Sequence, residues 1–374
     1  MIPFNKPFLV GNETQYIKEA VLSGKISGNG IFTKKCQSFF EDEYHFRKTL
    51  LTTSCTDALE MAAILLDIGP GDEVIVPSYT FVSSALAFIR QGANIVFADS
   101  RKDHPGIDEN KIEELITAKT KAIVVVHYAG VACDMDIVMS VANKHGIYVI
   151  EDAAQAIDSF YKGKPLGGIG HLSAFSFHET KNVIAGEGGL LVVNDEKFTD
   201  RSEIIWEKGT NRTAFFKGEV DKYGWVDTGS SFLPSELTAA FLYAQLEHSK
   251  QIQKRRKEIW NIYYKQLESL ESEGKITLPS IPDYATNNAH MFYVLAQNVA
   301  ERDKLLTFLK GRGVHAVFHY ISLHTSKFYL KSNTPQRLQN SERFSDCLIR
   351  LPLFYELECD EVLFISETIK KYFK

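Results

Sequence analysis

Three short segments of the chain carry side chains whose types and positions could do chemistry together. In the first, from Ser54 to Asp57, hydroxyl side chains lead from an apolar run into a helical pattern. The second is the apolar run that ends in Asp152, and the third is the polar loop that contains Lys181. Free amides at a helix N-terminus bind anions. A lysine in an apolar or cationic setting loses its proton and becomes nucleophilic.

Each segment also has an ordinary structural explanation when it is taken alone. Serine, threonine and aspartate are favoured helix N-caps, so neither Thr56 nor Asp152 identifies a site by itself. A single lysine in a polar loop is usually solvated. The run from Gly186 to Gly189 does not match the Gly-x-Gly-x-x-Gly pattern of dinucleotide-binding proteins, and it precedes a strand instead of following one.

The combination is far more specific than any of its members. An enzyme that uses pyridoxal 5′-phosphate needs a phosphate cradle, a carboxylate that keeps the pyridine nitrogen protonated, and a lysine that forms a Schiff base. The chain supplies them in the order cradle, Asp152 and Lys181. The sequence therefore predicts a pyridoxal phosphate enzyme with Lys181 as the catalytic residue.

The elements that would position these residues alternate between two patterns. Short apolar runs predict strands at residues 49–52, 73–76, 94–98, 122–127, 148–150, 172–177 and 189–193. Helical periodicity predicts helices at residues 56–67, 81–91, 108–118 and 135–145. This alternation is typical of a mostly parallel sheet in an α/β protein, and several runs are apolar throughout, as in strands covered on both faces.

The pattern changes in the second half of the chain. Residues 237–246 and 251–270 favour helices, and from about residue 278 the order becomes strand, helix, strand, helix, with residues 290–295 and 302–310 the clearest pieces. We place a domain boundary near Lys250. Residues 1–250 would form a large cofactor-binding domain that includes the N-terminal segment, and residues 251–374 a smaller C-terminal domain.

Composition excludes several classes of partner. The chain has 374 residues, of which 44% are hydrophobic, and a net charge of −5, so it lacks the basic footprint of a nucleic-acid-binding protein. We find no signal-peptide pattern and no apolar run long enough to span a membrane. The five cysteines form no Cys-x-x-Cys pair, which argues against a disulfide framework and a zinc site. We expect a cytoplasmic protein.

Three histidines near the C-terminal end raise the question of a metal site. They are His315, His319 and His324, and their stretch contains neither a carboxylate nor a cysteine. A position on the surface or near a sugar phosphate is the better interpretation, and we expect no metal.

Beyond these patterns, the chain resembles a known family. The matching motifs are Ser-Cys-Thr-Asp-Ala-Leu, Gly-Asp-Glu-Val-Ile-Val-Pro-Ser-Tyr-Thr-Phe, Val-His-Tyr-Ala-Gly, Glu-Asp-Ala-Ala-Gln, Phe-Ser-Phe-His-Glu-Thr-Lys-Asn and Gly-Glu-Gly-Gly. They resemble the DegT-type, fold-type I sugar aminotransferases, and the similarity extends essentially over the whole chain. The resemblance implies an aspartate aminotransferase-like fold, with a seven-stranded, mostly parallel sheet and a smaller C-terminal α+β domain.

The resemblance also implies substrates and partners. Residues 207–212, 288–293 and 317–320 are similar to the branch of the family that aminates dTDP-linked 4-keto-sugars, with glutamate as donor. It further implies a homodimer with its active sites near the interface. Relatives often donate an asparagine from the partner subunit to the phosphate, but residues 230–235 contain none, which leaves that contact open.

Carried over by position, the resemblance gives each residue of the cofactor site a role. Lys181 would bind the cofactor and move the proton, Asp152 would pair with the pyridine nitrogen, and Gln155 would reach the phenolic oxygen. Phe81 would stack on the ring, with Tyr79 as the weaker alternative. Residues expected around the phosphate are Ser54, Cys55, Thr56, the amide of Asp57, and Ser176.

Contacts with the sugar nucleotide are expected at Tyr320, His324 and Arg212. Two positions depart from the family pattern. Cys55 replaces a glycine or alanine of many relatives, and the carboxylate of Asp57, unfavourable beside a phosphate, should point away from it.

Three other interpretations have sequence features against them. The related sugar dehydratases replace the lysine with histidine, whereas Lys181 is present here. A ligand-sensing regulator on the same fold should carry a helix-turn-helix appendage or a basic face, and the sequence shows neither. A nicotinamide dehydrogenase is disfavoured because no Gly-x-Gly-x-x-Gly follows a strand.

Overall fold

A computed structural model describes all 374 residues. The strands, in chain order, are β1 (Lys48–Thr52), β2 (Glu73–Pro77), β3 (Asn94–Ala98), β4 (Thr120–Val126), β5 (Tyr148–Asp152), β6 (Phe160–Tyr161), β7 (Lys164–Pro165), β8 (Leu172–Ser176), β9 (Gly189–Val193), β10 (Phe292–Leu295), β11 (Val317–Phe318) and β12 (Leu348–Leu351). The helices are α1 (Glu13–Leu22), α2 (Ile31–Tyr44), α3 (Cys55–Leu65), α4 (Ser83–Ile89), α5 (Met135–His145), α6 (Thr199–Trp206), α7 (Arg212–Phe216), α8 (Glu236–Glu247), α9 (Ser249–Ser272), α10 (Val299–Lys310), α11 (Gln339–Cys347) and α12 (Cys359–Phe373).

Seven strands form the central sheet, in the order β1-β9-β8-β5-β4-β2-β3. Its neighbours pair in parallel except at β9, which runs antiparallel to both β1 and β8. This confirms the predicted fold class. In the registers, Asp152 pairs with Ala174, and Gly189 pairs with both Ser176 and Thr52. The carboxyl ends of β1, β5 and β8 therefore meet at one edge, where open α/β sheets bind their ligands.

Helices cover both faces of this sheet. Along β4, Ile123 and Val125 belong to one buried cluster, whereas Val124 and Val126 belong to the other. The first cluster includes residues of α2, α5 and α8, and the second includes residues of α3, α4 and α6. Burial on both faces explains why these strands are apolar throughout and do not alternate.

The C-terminal part of the chain builds a second core. Strands β10, β12 and β11 form an antiparallel sheet, and α9, α10 and α12 contribute to the buried cluster that packs with it. The N-terminus also joins this part, because Ile2 forms a parallel bridge with Val314. The boundary near Lys250 stays a prediction. The separate cluster supports it, while the bridge shows that the first residues of the chain contact the C-terminal core.

Two differences from the predicted elements have physical causes. Residues 108–118 were expected to be helical but form only two short 3₁₀ turns, Glu109–Lys111 and Glu113–Leu115. The buried Glu109 carboxylate accepts from the amide of Asp134, and Ile116 is extended, so no third turn forms. Helices α1 and α2 were not predicted. The N-terminus of α2 is capped from far along the chain by Glu236, whose carboxylate accepts from the amides of Gly30, Phe32 and Thr33.

No helix in the structure combines the length and apolar character needed to cross a lipid bilayer.

Candidate active site

A cavity of about 420 Å³ opens at the carboxyl edge of the sheet. Of the residues singled out from the sequence, it brings together Ser54, Cys55, Thr56, Phe81, Asp152, Gln155, Ser176, Lys181 and Tyr320. They come from five stretches of the sequence, so the fold brings the three predicted segments, Phe81 and the C-terminal segment together at one site.

The N-terminus of α3 forms one wall of the cavity. Ser54 is its extended N-cap, and its hydroxyl accepts from the amide of Asp57 at 3.1 Å. The amides of Cys55 and Thr56 have no hydrogen-bond acceptor in the protein. The Asp57 carboxylate accepts from the Thr53 hydroxyl and does not line the cavity. This wall therefore presents free amides without an adjacent carboxylate, which suits an anion.

Gly189 allows this wall to lie close to the sheet. A Cβ at this position would come within 2.3 Å of the Ser54 carbonyl and 2.5 Å of the Cys55 nitrogen. These are backbone atoms at the start of α3, which cannot move aside without moving the helix. The glycine is needed for close approach of two backbones.

Asp152 ends β5 and is buried. Its carboxylate accepts from the Ser84 hydroxyl at 2.6 Å and from the Ala154 amide at 3.1 Å, and it forms no ion pair. Burial raises the pKa of Asp152, and the hydrogen bond from Ser84 opposes that shift. The carboxylate is oriented by two donors but lacks a cationic partner.

Lys181 follows β8 in a turn closed by its own amide, which donates to the His178 carbonyl at 2.9 Å. Its side-chain amine lines the cavity and forms no hydrogen bond or ion pair with the protein. Burial lowers the pKa of Lys181, while the nearby Cys55 and Asp152 raise it. A larger fraction of this amine is therefore neutral than in an exposed lysine.

Gln155 and two aromatic residues complete the opposite wall. The Gln155 carbonyl accepts from the Ala129 amide at 2.6 Å, and its amide group donates to the Tyr320 hydroxyl at 3.3 Å. Phe81 lines the cavity and is 54% exposed, whereas Tyr79 is 1% exposed and donates to the His319 carbonyl. Phe81 therefore has a ring face available to a ligand, and Tyr79 does not.

Two residues predicted to contact substrate lie elsewhere. The ring of His324 is buried and pairs with the Ser78 hydroxyl at 2.6 Å, so it is turned away from the cavity. Arg212 begins α7, lines a separate cavity, and lies over the Phe216 ring at 5.2 Å. Within one chain, neither side chain reaches the site, and this corrects their expected placement.

Other residues at the site were not among those predicted. His319, Thr80, Ser83, His178, Thr180 and Glu187 all line the cavity. Ser84 acts through Asp152, across 68 residues of sequence. The neighbouring histidine and tyrosine at 319–320 could have identified His319 from the sequence. The hydroxyl residues at 80–84, by contrast, indicate only the start of a helix.

Comparison with known proteins gives consistent matches. Residues 8–370 match the model of the DegT/DnrJ/EryC1/StrS aminotransferase family. The chain is 33% identical to the GDP-perosamine synthase of Escherichia coli O157:H7, covering 100% of this chain and 98% of that protein. It is 33% identical to a spore coat polysaccharide biosynthesis protein of Bacillus subtilis strain 168, covering 100% of this chain and 97% of that protein. A putative sugar aminotransferase from Streptococcus pneumoniae, solved in its PMP form, superposes with a TM-score of 0.92 at 27% identity, covering 99% and 98% of the two chains.

Proposed function

The chain belongs to the DegT/DnrJ/EryC1/StrS aminotransferase family, and on that premise we propose that this cavity transfers an amino group from glutamate to a nucleotide-linked keto-sugar. The observation that carries the proposal is the meeting of three groups in one cavity. They are the free amides of α3, the Asp152 carboxylate, which has no cationic partner, and the Lys181 amine, which has no partner in the protein.

These three groups fit pyridoxal 5′-phosphate, the cofactor of this family. The amides of Cys55 and Thr56 can hold a phosphate, because nothing in the protein occupies them. Asp152 can face a protonated ring nitrogen, since its carboxylate has hydrogen-bond donors but no cation. Lys181 can bind the aldehyde, because its amine has no partner. When bound, this cofactor supplies a conjugated ring that accepts the electron pair released at the substrate carbon.

The residues of the cavity would bind the cofactor, control its protonation and move the proton. Lys181 would bind the cofactor's aldehyde, and we propose that its Nζ, which has no partner in the protein, is the group that holds and moves the proton during amino transfer. Asp152 would hold the ring nitrogen protonated, with its carboxylate oriented by the Ser84 hydroxyl. Phe81 would cover the ring and limit access of water, and Gln155 would donate to the ring's oxygen.

For the acceptor we propose dTDP-4-keto-6-deoxyglucose, aminated at carbon 4 to dTDP-4-amino-4,6-dideoxygalactose. The support is the resemblance of residues 207–212, 288–293 and 317–320, which lie outside the cofactor motifs and could therefore reflect substrate preference. The product would be a precursor of a cell-surface polysaccharide such as a lipopolysaccharide O-antigen or enterobacterial common antigen. Alternative products are the 4-amino-4,6-dideoxyglucose epimer and a 3-amino sugar made from a 3-keto-sugar.

A second candidate concerns the nucleotide. One of the similar proteins is named for a GDP-linked product, which favours testing a GDP-linked keto-sugar beside the dTDP-linked one. A non-catalytic regulator on the same fold is the remaining alternative, and it predicts binding without turnover.

The deciding experiment is NMR of the product after the holoenzyme is incubated with glutamate and each keto-sugar nucleotide. We expect a carbon-4 amine with a small coupling between the protons on carbons 3 and 4. A large coupling would indicate the gluco epimer and contradict the galacto assignment. The absence of a dTDP-linked product would contradict the proposed substrate.

Lys181→Ala is the matched control for catalysis. It should keep the fold and lose turnover by several orders of magnitude, because the proton carrier is gone. If more than about a few per cent of the activity remains, the assignment of Lys181 is wrong.

A further inference from the structure

Asn288 is a buried polar residue that lies outside the cavity but is hydrogen-bonded to segments that line it. It belongs to the turn before β10 and is 0% exposed. Its Oδ1 accepts from the amide of His290, in the same turn, at 3.0 Å. This bond fixes the orientation of the side-chain amide and leaves both of its N–H groups to donate outside the turn.

Both N–H groups donate to the segment that follows β5. The Asn288 Nδ2 lies 2.8 Å from the carbonyl oxygen of Gln155 and 2.9 Å from that of Ile157. The Gln155 carbonyl has no other donor in the protein. Because a buried carbonyl needs a donor, this single side chain holds the backbone from which the Gln155 side chain enters the cavity.

Asn288 also contacts the two neighbouring segments of the site. Its backbone carbonyl accepts at 2.9 Å from the side chain of Asn182, the residue that follows the catalytic lysine. On its other side, a Cβ at Gly130 would overlap the Asn288 amide. Gly130 follows Ala129, whose amide donates to the Gln155 Oε1 at 2.6 Å. Three segments at the cavity therefore converge on one buried residue, and they are residues 128–130, 155–157 and 181–182.

The contact with the lysine segment is itself firmly held. The Asn182 Nδ2 also donates to the Gln253 Oε1 at 2.7 Å, and its Oδ1 lies 2.9 Å from the His290 Nδ1. Since that oxygen can only accept, His290 carries its proton on Nδ1. Burial lowers the pKa of His290 well below its usual value, so the ring is neutral. The network is uncharged, and buried polar networks whose members are satisfied make their surroundings rigid.

The position of these bonds gives Asn288 a role beyond stability. A hydrogen bond weakens steeply as its geometry degrades, so a small shift of the Gln155 backbone would weaken a bond from its side chain to the cofactor. We propose that Asn288 is a positioning residue, which fixes Gln155 relative to Lys181 and so sets where the Gln155 amide meets the cofactor ring, an inference that rests on the cofactor site proposed above.

The test measures how the absorbance of the lysine-bound cofactor changes with pH in Asn288→Ala. A donor at the ring's oxygen stabilises the negative charge there and therefore lowers the pKa of the bound chromophore. We expect Asn288→Ala to raise this pKa by about 0.5 to 1 and to weaken cofactor binding by about 3- to 10-fold, the equivalent of one neutral hydrogen bond. Asn288→Ser, which keeps one donor, should shift the pKa less and replaces the alanine variant if that protein does not fold.

A double-mutant cycle shows whether Asn288 acts through Gln155. Gln155→Ala should raise the same pKa. Adding Asn288→Ala to it should raise the pKa no further, because the group that Asn288 positions is already gone.

Asn194→Ala is the matched control. Its side-chain amide likewise donates to two carbonyls, those of Gly167 at 2.9 Å and Gly170 at 2.8 Å, but Asn194 does not line the cavity. Its replacement should lower the unfolding temperature and leave the pKa of the chromophore and the affinity for cofactor unchanged.

Two results would overturn the inference. A less stable Asn288→Ala with an unchanged chromophore pKa would make Asn288 a structural residue only. Additive shifts in the double variant would show that it does not act through Gln155. If wild-type protein binds the cofactor but aminates no keto-sugar nucleotide, the proposed function fails, and the absorbance titration still decides the role of Asn288.

Discussion

At the scale of single residues, Asp152 and Lys181 line the same cavity without pairing to each other. Burial raises the pKa of the aspartate and lowers that of the lysine, so each is shifted toward its neutral form. A direct ion pair would oppose both shifts and hold the amine in its charged, non-nucleophilic state. The separation keeps the lysine reactive and leaves the carboxylate free for a cationic ring nitrogen.

The role of the aspartate is tested by Asp152→Asn. The asparagine oxygen can still accept from the Ala154 amide, and its nitrogen can donate to the Ser84 hydroxyl, so the fold should be kept. A neutral amide, however, cannot hold a ring nitrogen protonated. We expect the rate of amino transfer to fall by on the order of 100-fold or more, while cofactor is still bound. Ser84→Ala, which removes only the orienting donor, should cause a smaller loss. Single-turnover kinetics measure both variants. Wild-type rates in Asp152→Asn would mean that the carboxylate is only a structural cap.

The sequence identified residues whose signal is local and missed those whose role depends on distant contacts. Asp152 ends a strand, Thr56 lies in the first turn of a helix and Lys181 lies in the loop after a strand, and the structure places all three at the cavity. Ser84 lies at the start of α4, and the sequence around it indicates only a helix. The fold alone brings its hydroxyl to Asp152, 68 residues away in the sequence.

At the scale of elements, the strand ends were predictable because buried parallel strands are short, apolar and bounded by polar turns. Predicted and observed ends differ by at most two residues within the central sheet. The N-terminus of α2 could not be predicted from its own residues. Its first amides are satisfied by Glu236, more than 200 residues away in sequence, and Gly30 offers no capping side chain.

The approach of β9 to α3 is tested by Gly189→Ala. The added methyl group would overlap the backbone of Ser54 and Cys55, so the first turn of α3 must shift and its free amides lose their alignment. We expect affinity for pyridoxal phosphate to fall by about 10-fold or more, the cost of losing one or two hydrogen bonds to an anion. The measurement is a titration of apo-protein with cofactor, followed by absorbance.

Gly69→Ala is the control for this substitution. A Cβ at Gly69 meets nothing within 4 Å, and its backbone does not require glycine. Its cofactor affinity should equal that of wild type. Unchanged affinity in Gly189→Ala as well would show that the amides of α3 do not hold the phosphate.

At the scale of the whole molecule, the site joins the C-terminal part of the chain to the central sheet. The sheet supplies Asp152 and the loop after β8 supplies Lys181, while His319 and Tyr320 come from the C-terminal part. A ligand that touches all of these would hold the two cores in one relative position. The alternation of strands and helices predicts the first core well, but no local pattern predicts the pairing of Ile2 with Val314.

The surface of the molecule supports the expected homodimer. Around α7 a single segment exposes several large apolar side chains, with Phe216 at 70%, Trp225 at 85% and Val226 at 55% exposed. Exposed large apolar side chains concentrated in one segment suit an interaction site, and two-fold pairing is the commonest form of oligomer. We expect light scattering to return a dimer at micromolar concentration, and Trp225→Lys to shift it toward monomer, because a charge buried in the interface is costly.

Phe364→Lys is the control. Phe364 is 48% exposed on α12, away from this segment, and its replacement should leave the dimer intact. A wild-type protein that is monomeric and fully active would refute the dimer, and a dimer unaffected by Trp225→Lys would place its interface elsewhere.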